Sequence, residues 1–203
     1  ENQSCIAPSD TTALAQTFLL ESFGTGTGRT DVAGLGTTPT ISNHTYAGEN
    51  GSVPNGTYQI MCCYYTGMFE FFATPTSGDA TADPNFEDFT PGDTNGRMLV
   101  VNAATSAGEF YSQAVEATTA GLLSFSASIA NLNARLILPS VTIKILDSNN
   151  IILESTTTGS IPHYGTDNNG DLSFTADEAW LRYTVDIDAA AGSYTVVMHS
   201  NAS

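Results

Sequence analysis

Hydrophobic and polar residues alternate over short stretches along most of this chain, and a period of two is typical of antiparallel β-strands with one buried face. The clearest stretch is 123–129, where Leu, Phe, Ala and Ile alternate with three serines. Similar patterns predict seven further strands, over 57–65, 97–102, 109–115, 140–146, 151–158, 181–188 and 194–199. The Asp-Ser-Asn-Asn sequence at 147–150 predicts a hairpin turn between two of them.

Helix signals are confined to the start of the chain. Segment 10–20 has the only pattern that favours a helix, with Ser9 or Asp10 as its cap, although 17–23 would equally form a first strand. Eight or nine short strands with almost no helix are typical of an antiparallel β-sandwich, most often of jelly-roll type. The 203 residues suit one domain of this kind, and no internal repeat indicates an array.

The charge balance narrows the range of partners. Asp and Glu number 21 against 5 Lys and Arg, which gives a formal net charge of −16. Nucleic acid is not expected, because phosphate binding needs clustered basic residues and this chain has one lysine, Lys144, and four scattered arginines. An anionic membrane surface is disfavoured for the same reason, and no apolar stretch approaches the roughly 20 residues of a membrane span. A surface this acidic favours divalent cations or a salty medium around it.

One acidic loop has the spacing of a calcium site. Oxygen-bearing side chains occupy positions 1, 3, 5 and 12 of an EF-hand-like segment, at Asp167, Asn169, Asp171 and Glu178. Leu172 stands where the sharp turn of such a loop normally requires glycine, and no flanking helices are apparent. The segment is therefore a candidate Ca²⁺ site, with an Asx-rich surface turn as the equal alternative.

A second acidic region, 79–96, leads directly into the predicted strand 97–102. At its end Asp93 and Asn95 place a carboxylate and an amide two residues apart, which allows them to share one hard cation with a backbone carbonyl. Taken alone, the region is more simply explained as a solvated loop.

Aromatic residues and cysteines are the remaining candidate groups. Tyr64 and Tyr65 begin a run with five aromatic residues, and with Trp180 they could stack on sugar rings, although packing in the core is the favoured explanation. Cys5, Cys62 and Cys63 are too few for a disulfide scaffold and wrongly spaced for zinc. A disulfide from Cys5 to either of the other two would tie the N-terminal segment to a strand and leave one thiol over.

Catalytic motifs are absent from the sequence. It has no G-x-S-x-G elbow and no H-E-x-x-H, and its three histidines are far apart. A carboxylate pair such as Glu109 and Glu116 stays open, since glycosidase acids are recognised by their spatial separation. We predict that the protein is not an enzyme.

Several segments, taken in order, carry a family resemblance. They are 21–26 (ESFGTG), 53–58 (VPNGTY), 92–103 (GDTNGRMLVVNA), 108–111 (GEFY) and 125–132, and Trp180 with the strand after it fits as well. Together they resemble the jelly-roll modules of large secreted and surface proteins of Bacteroidetes, which are similar in architecture to carbohydrate-binding modules. The resemblance covers most of the chain from Glu21 onward, so that 21–203 would form one domain and 1–20 an N-terminal extension.

The resemblance implies a calcium-stabilised sandwich in an exported adhesin or polysaccharide-handling protein, with Glu21, Asp93 and Asn95 as candidate Ca²⁺ ligands. Such modules usually continue past the position of 200–203 into a further acidic strand. We therefore expect a missing last strand, which would leave an unpaired edge and a hydrophobic groove. The alternative is a sandwich whose own edge is simply shorter.

An open edge can be filled by another chain. Residues 1–20 could act as a donor strand for the next subunit, and such a head-to-tail contact builds a filament of identical subunits rather than a closed ring. The sequence thus predicts a secreted structural or adhesive subunit, stabilised by Ca²⁺, at the cell surface. The alternative is a carbohydrate-binding module that recognises surface glycans.

Overall fold

The computed structural model describes residues 21–26, 28–34, 39–48, 53–62, 95–103, 107–131, 138–162 and 180–201. This part of the chain is nearly all β. Its strands are β1 (Arg29–Thr30), β2 (Thr45–Tyr46), β3 (Thr57–Cys62), β4 (Arg97–Asn102), β5 (Gly108–Ala117), β6 (Gly121–Ile129), β7 (Val141–Leu146), β8 (Ile152–Thr157), β9 (Leu181–Ala189) and β10 (Gly192–Ser200). One 3-10 turn, Val32–Gly34, follows β1.

The eight strands predicted from alternation are confirmed as β3 to β10, with bounds that differ by a few residues. The hairpin between β7 and β8 is confirmed too, because the Asp147 N–H donates to the Ile151 carbonyl at 2.9 Å. Asn150 closes this turn with a φ of 62°, a conformation that Asn tolerates better than most residues do. The helix predicted for 10–20 lies outside the described residues.

One sheet, called the four-stranded sheet below, has all its strands antiparallel in the order β5-β10-β7-β8. Its inward residues follow the period of two, and Ile143, Ile145 and Val196 are almost wholly buried. Burying one such side chain stabilises the fold by about 1.5–3 kcal/mol. The sheet is therefore the main contributor to the hydrophobic core.

A two-stranded antiparallel sheet, β6 with β9, packs against that core. Its pairing runs from Gly121 opposite Ala189 to Ile129 opposite Leu181. Leu123 and Val185 are buried in the same hydrophobic cluster as the inward residues of the larger sheet, and β9 contacts both β7 and β8. Two antiparallel layers around one core give the molecule the character of a β-sandwich.

A third sheet, here called the β3 sheet, also has four strands: β3 pairs with β4 and β1 antiparallel and with β2 parallel. Leu99 and Val101 of β4 pack on the shared core. The opposite face of the same strands is also buried, at Met61, Met98 and Val100. In the part of the chain with described structure, no helix is long and apolar enough to cross a membrane.

Candidate functional site

The segment that begins at Glu21 lies beside the start of β4. The Gly26 N–H donates to the Asn95 carbonyl at 2.9 Å, and the Arg97 N–H donates to the Gly24 carbonyl at 2.9 Å. Two of the three candidate Ca²⁺ ligands, Glu21 and Asn95, thus belong to adjoining stretches of backbone. The third, Asp93, lies outside the described residues.

Backbone conformation explains why this junction carries glycines. Phe23, Gly24 and Gly26 have φ values of 54°, 69° and 148°, and only glycine adopts such values at little cost. A side chain at Gly26 would place its Cβ too close to Nη2 of Arg97. Phe23 tolerates its conformation because its ring packs on the core and its N–H donates to the Glu21 carboxylate at 2.7 Å.

Charged side chains of both signs lie near this junction. Burial raises the pKa of the Tyr111 phenol, and the neighbouring Glu21 carboxylate raises that pKa further, so Tyr111 stays neutral. The Arg97 guanidinium lies against Gly26 and brings a fixed positive charge, and its Nε is buried with no hydrogen-bond partner among the described residues. Arg97 is two positions after Asn95 in the sequence, but its side chain packs against a segment that is distant in the sequence. No sequence signal predicts this contact.

The described residues hold only part of a calcium shell. Among them, no three His, Cys, Asp or Glu side chains lie close enough together to bind one metal ion. Ca²⁺ takes six to eight oxygen ligands. Among the described residues, Glu21 is the one candidate carboxylate at this junction. Calcium binding at Glu21, Asp93 and Asn95 therefore stays a prediction.

The inward face of β6 forms a second candidate site. Phe125, Ala127 and Ile129, here called the β6 row, pack against the core yet remain partly exposed. On the neighbouring strand β9, Val185 and Ile187 are buried to 3% and 9% exposure. Leu123 at the start of β6 is buried too, and Tyr183 and Leu181 of β9 are partly exposed, so exposure increases along the strand pair towards Ile129.

Among the described strands, β6 pairs with β9 alone, so its other edge has no described partner. The four-stranded sheet and Leu99 and Val101 of β4 pack on the same core but leave the β6 row partly exposed. Apolar side chains beside such an edge are available to a further strand.

The other predicted site residues fall mostly outside the described ranges. Trp180 is half-buried and immediately precedes β9, and Cys62 ends β3. The residues outside the described ranges are Cys5, Cys63, Tyr64, Tyr65, Asp167, Asn169, Asp171 and Glu178. The sugar-stacking, disulfide and EF-hand-like predictions therefore stay predictions.

The carboxylate pair considered for glycoside hydrolysis is widely separated. Glu109 and Glu116 lie near opposite ends of β5, so their backbones are roughly 23 Å apart at about 3.3 Å per residue. Glycosidase carboxylates lie about 5–9.5 Å apart. Each group instead has a local partner, since Glu109 accepts a hydrogen bond from Ser42 and Glu116 accepts one from Ser193.

Comparison with known proteins adds no family assignment. No protein-family model matches the chain, and no curated protein matches it at a significant level. The arguments for function therefore start from the fold and the two candidate sites.

Proposed function

We propose that this protein is an extracellular structural or adhesive subunit of jelly-roll type, stabilised by Ca²⁺, which assembles into a filament by strand donation. The observation that carries the proposal is the partly exposed β6 row. In the proposed filament, residues 1–20 of a neighbouring subunit pair with the edge of β6 that has no partner among the described strands, and cover that row.

The N-terminal sequence suits the role of donor. Residues 11–20 contain no charged side chain and carry Ala13, Leu14, Phe18 and Leu19. Extended, these ten residues span about 33 Å, against about 30 Å for the nine residues of β6. Because residues 11–20 are uncharged, this part of the donor adds no repulsion to a chain whose net charge is −16.

Calcium has two proposed roles in this assembly. Ligands at Glu21, Asp93 and Asn95 would fix the junction from which the donor segment leaves the domain, and those at Asp167, Asn169, Asp171 and Glu178 would stiffen a loop. Bound divalent cations would also reduce repulsion among the 21 acidic residues. Divalent cations are available for this role outside cells.

Light scattering after size-exclusion chromatography, with negative-stain imaging, tests the proposal in calcium and in excess chelator. We expect assemblies from the full chain in calcium, smaller or softer ones in chelator, and monomers after deletion of residues 1–20. A synthetic peptide of residues 1–20 should bind the deleted protein. Equal monomer masses for both chains in both conditions would exclude polymerisation.

A matched pair of variants locates the acceptor on β6. Phe125→Asp places a charge in the β6 row and should prevent assembly, whereas Leu122→Asp places the same charge on the exposed opposite face and should not. If both variants assemble as the wild type does, the acceptor is not on the inward face of β6.

A carbohydrate-binding module is the second candidate function. The outer face of β6 and β9 favours it, because exposed Arg182, Asp186 and Asp188 can hydrogen-bond sugar hydroxyls. Glycan arrays probed with the purified chain test this candidate. Binding that Asp186→Asn weakens, in a protein that stays monomeric, would favour it over the filament.

A further inference from the structure

Among the described strands, β8 forms one of the two edges of the four-stranded sheet, and it is exposed along nearly its whole length. Its first residues and the one before them are aliphatic, with exposures of 60% for Ile151, 52% for Ile152 and 45% for Leu153. Segment 151–158 contains no Pro or Gly and a single charge, Glu154. Short uncharged segments of high β-propensity tend to pair with identical copies of themselves.

The free backbone groups of β8 can be assigned from its pairing with β7. The Thr158 N–H donates to the Val141 carbonyl, and Thr156 and Glu154 lie opposite Ile143 and Ile145. Because alternate residues of an antiparallel strand direct their N–H and C=O groups to opposite sides, those of Ser155 and Thr157 point away from β7.

Glu154 interferes with this edge in two ways. Its Oε1 accepts a hydrogen bond from the Ser155 N–H at 2.8 Å, so the carboxylate occupies one of the outward donors. Directly opposite residues share a face, so Glu154 also stands on the core side of the sheet, with buried Ile145.

A register shift between Ile145 and Leu146 distorts the same edge. Inward-pointing charges and β-bulges are devices by which natural sheets prevent their edges from pairing with other chains. Both devices occur within three residues of the exposed aliphatic run.

We propose that Glu154 keeps the β8 edge closed against antiparallel pairing with β8 of a second copy of this chain. Two such strands related by a two-fold axis close to Glu154 would place their Glu154 carboxylates on one face, directly opposite or diagonal to each other, where like charges repel. The inference does not depend on the proposed filament, since β8 and the β6 row belong to different sheets.

Full-length variants compared in chelator at equal concentration test this role. Glu154→Val removes the charge and the N–H acceptor, and we expect its weight-average mass to be at least twice that of the wild type. Glu154→Lys keeps a charge at the edge and should retain the wild-type mass. Glu116→Val is the matched control. It removes from β5 an exposed carboxylate that accepts a hydrogen bond from a serine hydroxyl, and we expect its mass to equal that of the wild type.

Hydrogen–deuterium exchange identifies the surface that pairs. In associated Glu154→Val protein, the outward amides of Ser155 and Thr157 should exchange at least ten-fold more slowly than in the wild type, while circular dichroism stays unchanged. A wild-type mass for Glu154→Val would overturn the proposal. Association of Glu154→Lys, or association without protection of β8, would overturn it as well.

Discussion

The four-stranded sheet and the β6–β9 sheet use the same alternation of apolar and polar residues but bury it to different extents. Ile143 and Ile145 in the larger sheet have no exposed surface, whereas Phe125 and Ile129 in the smaller sheet remain partly exposed. The patterns at 123–129 and 141–146 do not differ in a way that predicts this. Burial at a given position depends on how many strands cover it, which alternation within one strand does not encode.

The edges of the two sheets also differ in charge. Glu154 is placed on the core side of edge strand β8, whereas the core side of β6 carries only apolar side chains. A natural sheet usually protects an edge that must stay unpaired. The proposed filament uses the unprotected β6 row as its acceptor, and the predictions below address this contrast.

The largest effect is expected in the buried sheet. Ile145→Ala should lower the free energy of unfolding by about 4 kcal/mol, because the removed atoms leave a cavity that a close-packed core fills poorly. Urea denaturation monitored by circular dichroism measures it. Leu122→Ala, at a site 70% exposed, is the control and should change stability by less than about 0.5 kcal/mol.

A smaller effect is expected in the β6 row. Phe125→Ala in the chain without residues 1–20 should cost about 2 kcal/mol, roughly half the usual cost of removing a fully buried Phe ring. The same urea experiment measures this loss. A loss as large as that of Ile145→Ala would show that the β6 row is covered within a single chain.

The junction beside β4 should respond to a single methyl group. Gly26→Ala should cost about 1–2 kcal/mol, because φ is 148° and the new Cβ would press on the Arg97 guanidinium. Gly28→Ala has open space and an ordinary φ, so it should leave the melting temperature unchanged. Equal melting temperatures for both variants would contradict the described conformation at Gly26.

The smallest effect is expected at the β7–β8 turn. The Ile151 N–H, and then the Asn149 N–H, hold the pKa of the Asp147 carboxyl below its ordinary value. A lowered pKa in the folded state means that this carboxylate stabilises the turn above its unfolded-state pKa, and that the contribution is lost as pH falls through the lowered value.

NMR titration of the Asn149 and Ile151 amides checks this sign. Both shifts should change together at a pH below the ordinary range of Asp. Asp147→Asn should abolish that titration while keeping the turn, because its side-chain oxygen still accepts both bonds. Titration in the ordinary Asp range would contradict the assignment.

The sequence predicts strands more successfully than it predicts their partners. Alternation located β3 to β10, and most of these strands have one buried face and one more exposed face. It did not locate β1 and β2, which have two residues each, or the bridge between Thr40 and Ser112. These pairings join distant residues, and short segments carry too few positions to establish a period.

The candidate sites were predictable only in part. The resemblance placed Glu21 and Asn95 in one site, and their segments do adjoin. Arg97 and the β6 row were not predicted, since each depends on what another strand covers. The placement of Glu154 on the core side of β8 depends on register as well, because a shift of one residue would turn its side chain to the outer face.

Strand β10 lies in the middle of the four-stranded sheet and is hydrogen-bonded to β5 on one side and β7 on the other. The chain leaves it at Asn201, whose side chain is bonded to Ser140 and Thr142 near the start of β7. A pulling force on the chain after Asn201 would act along β10, so the bonds to both neighbours would be strained in shear together. Edge strand β8 could be peeled away one bond at a time, which makes β10 the mechanically strongest attachment point of the sheet.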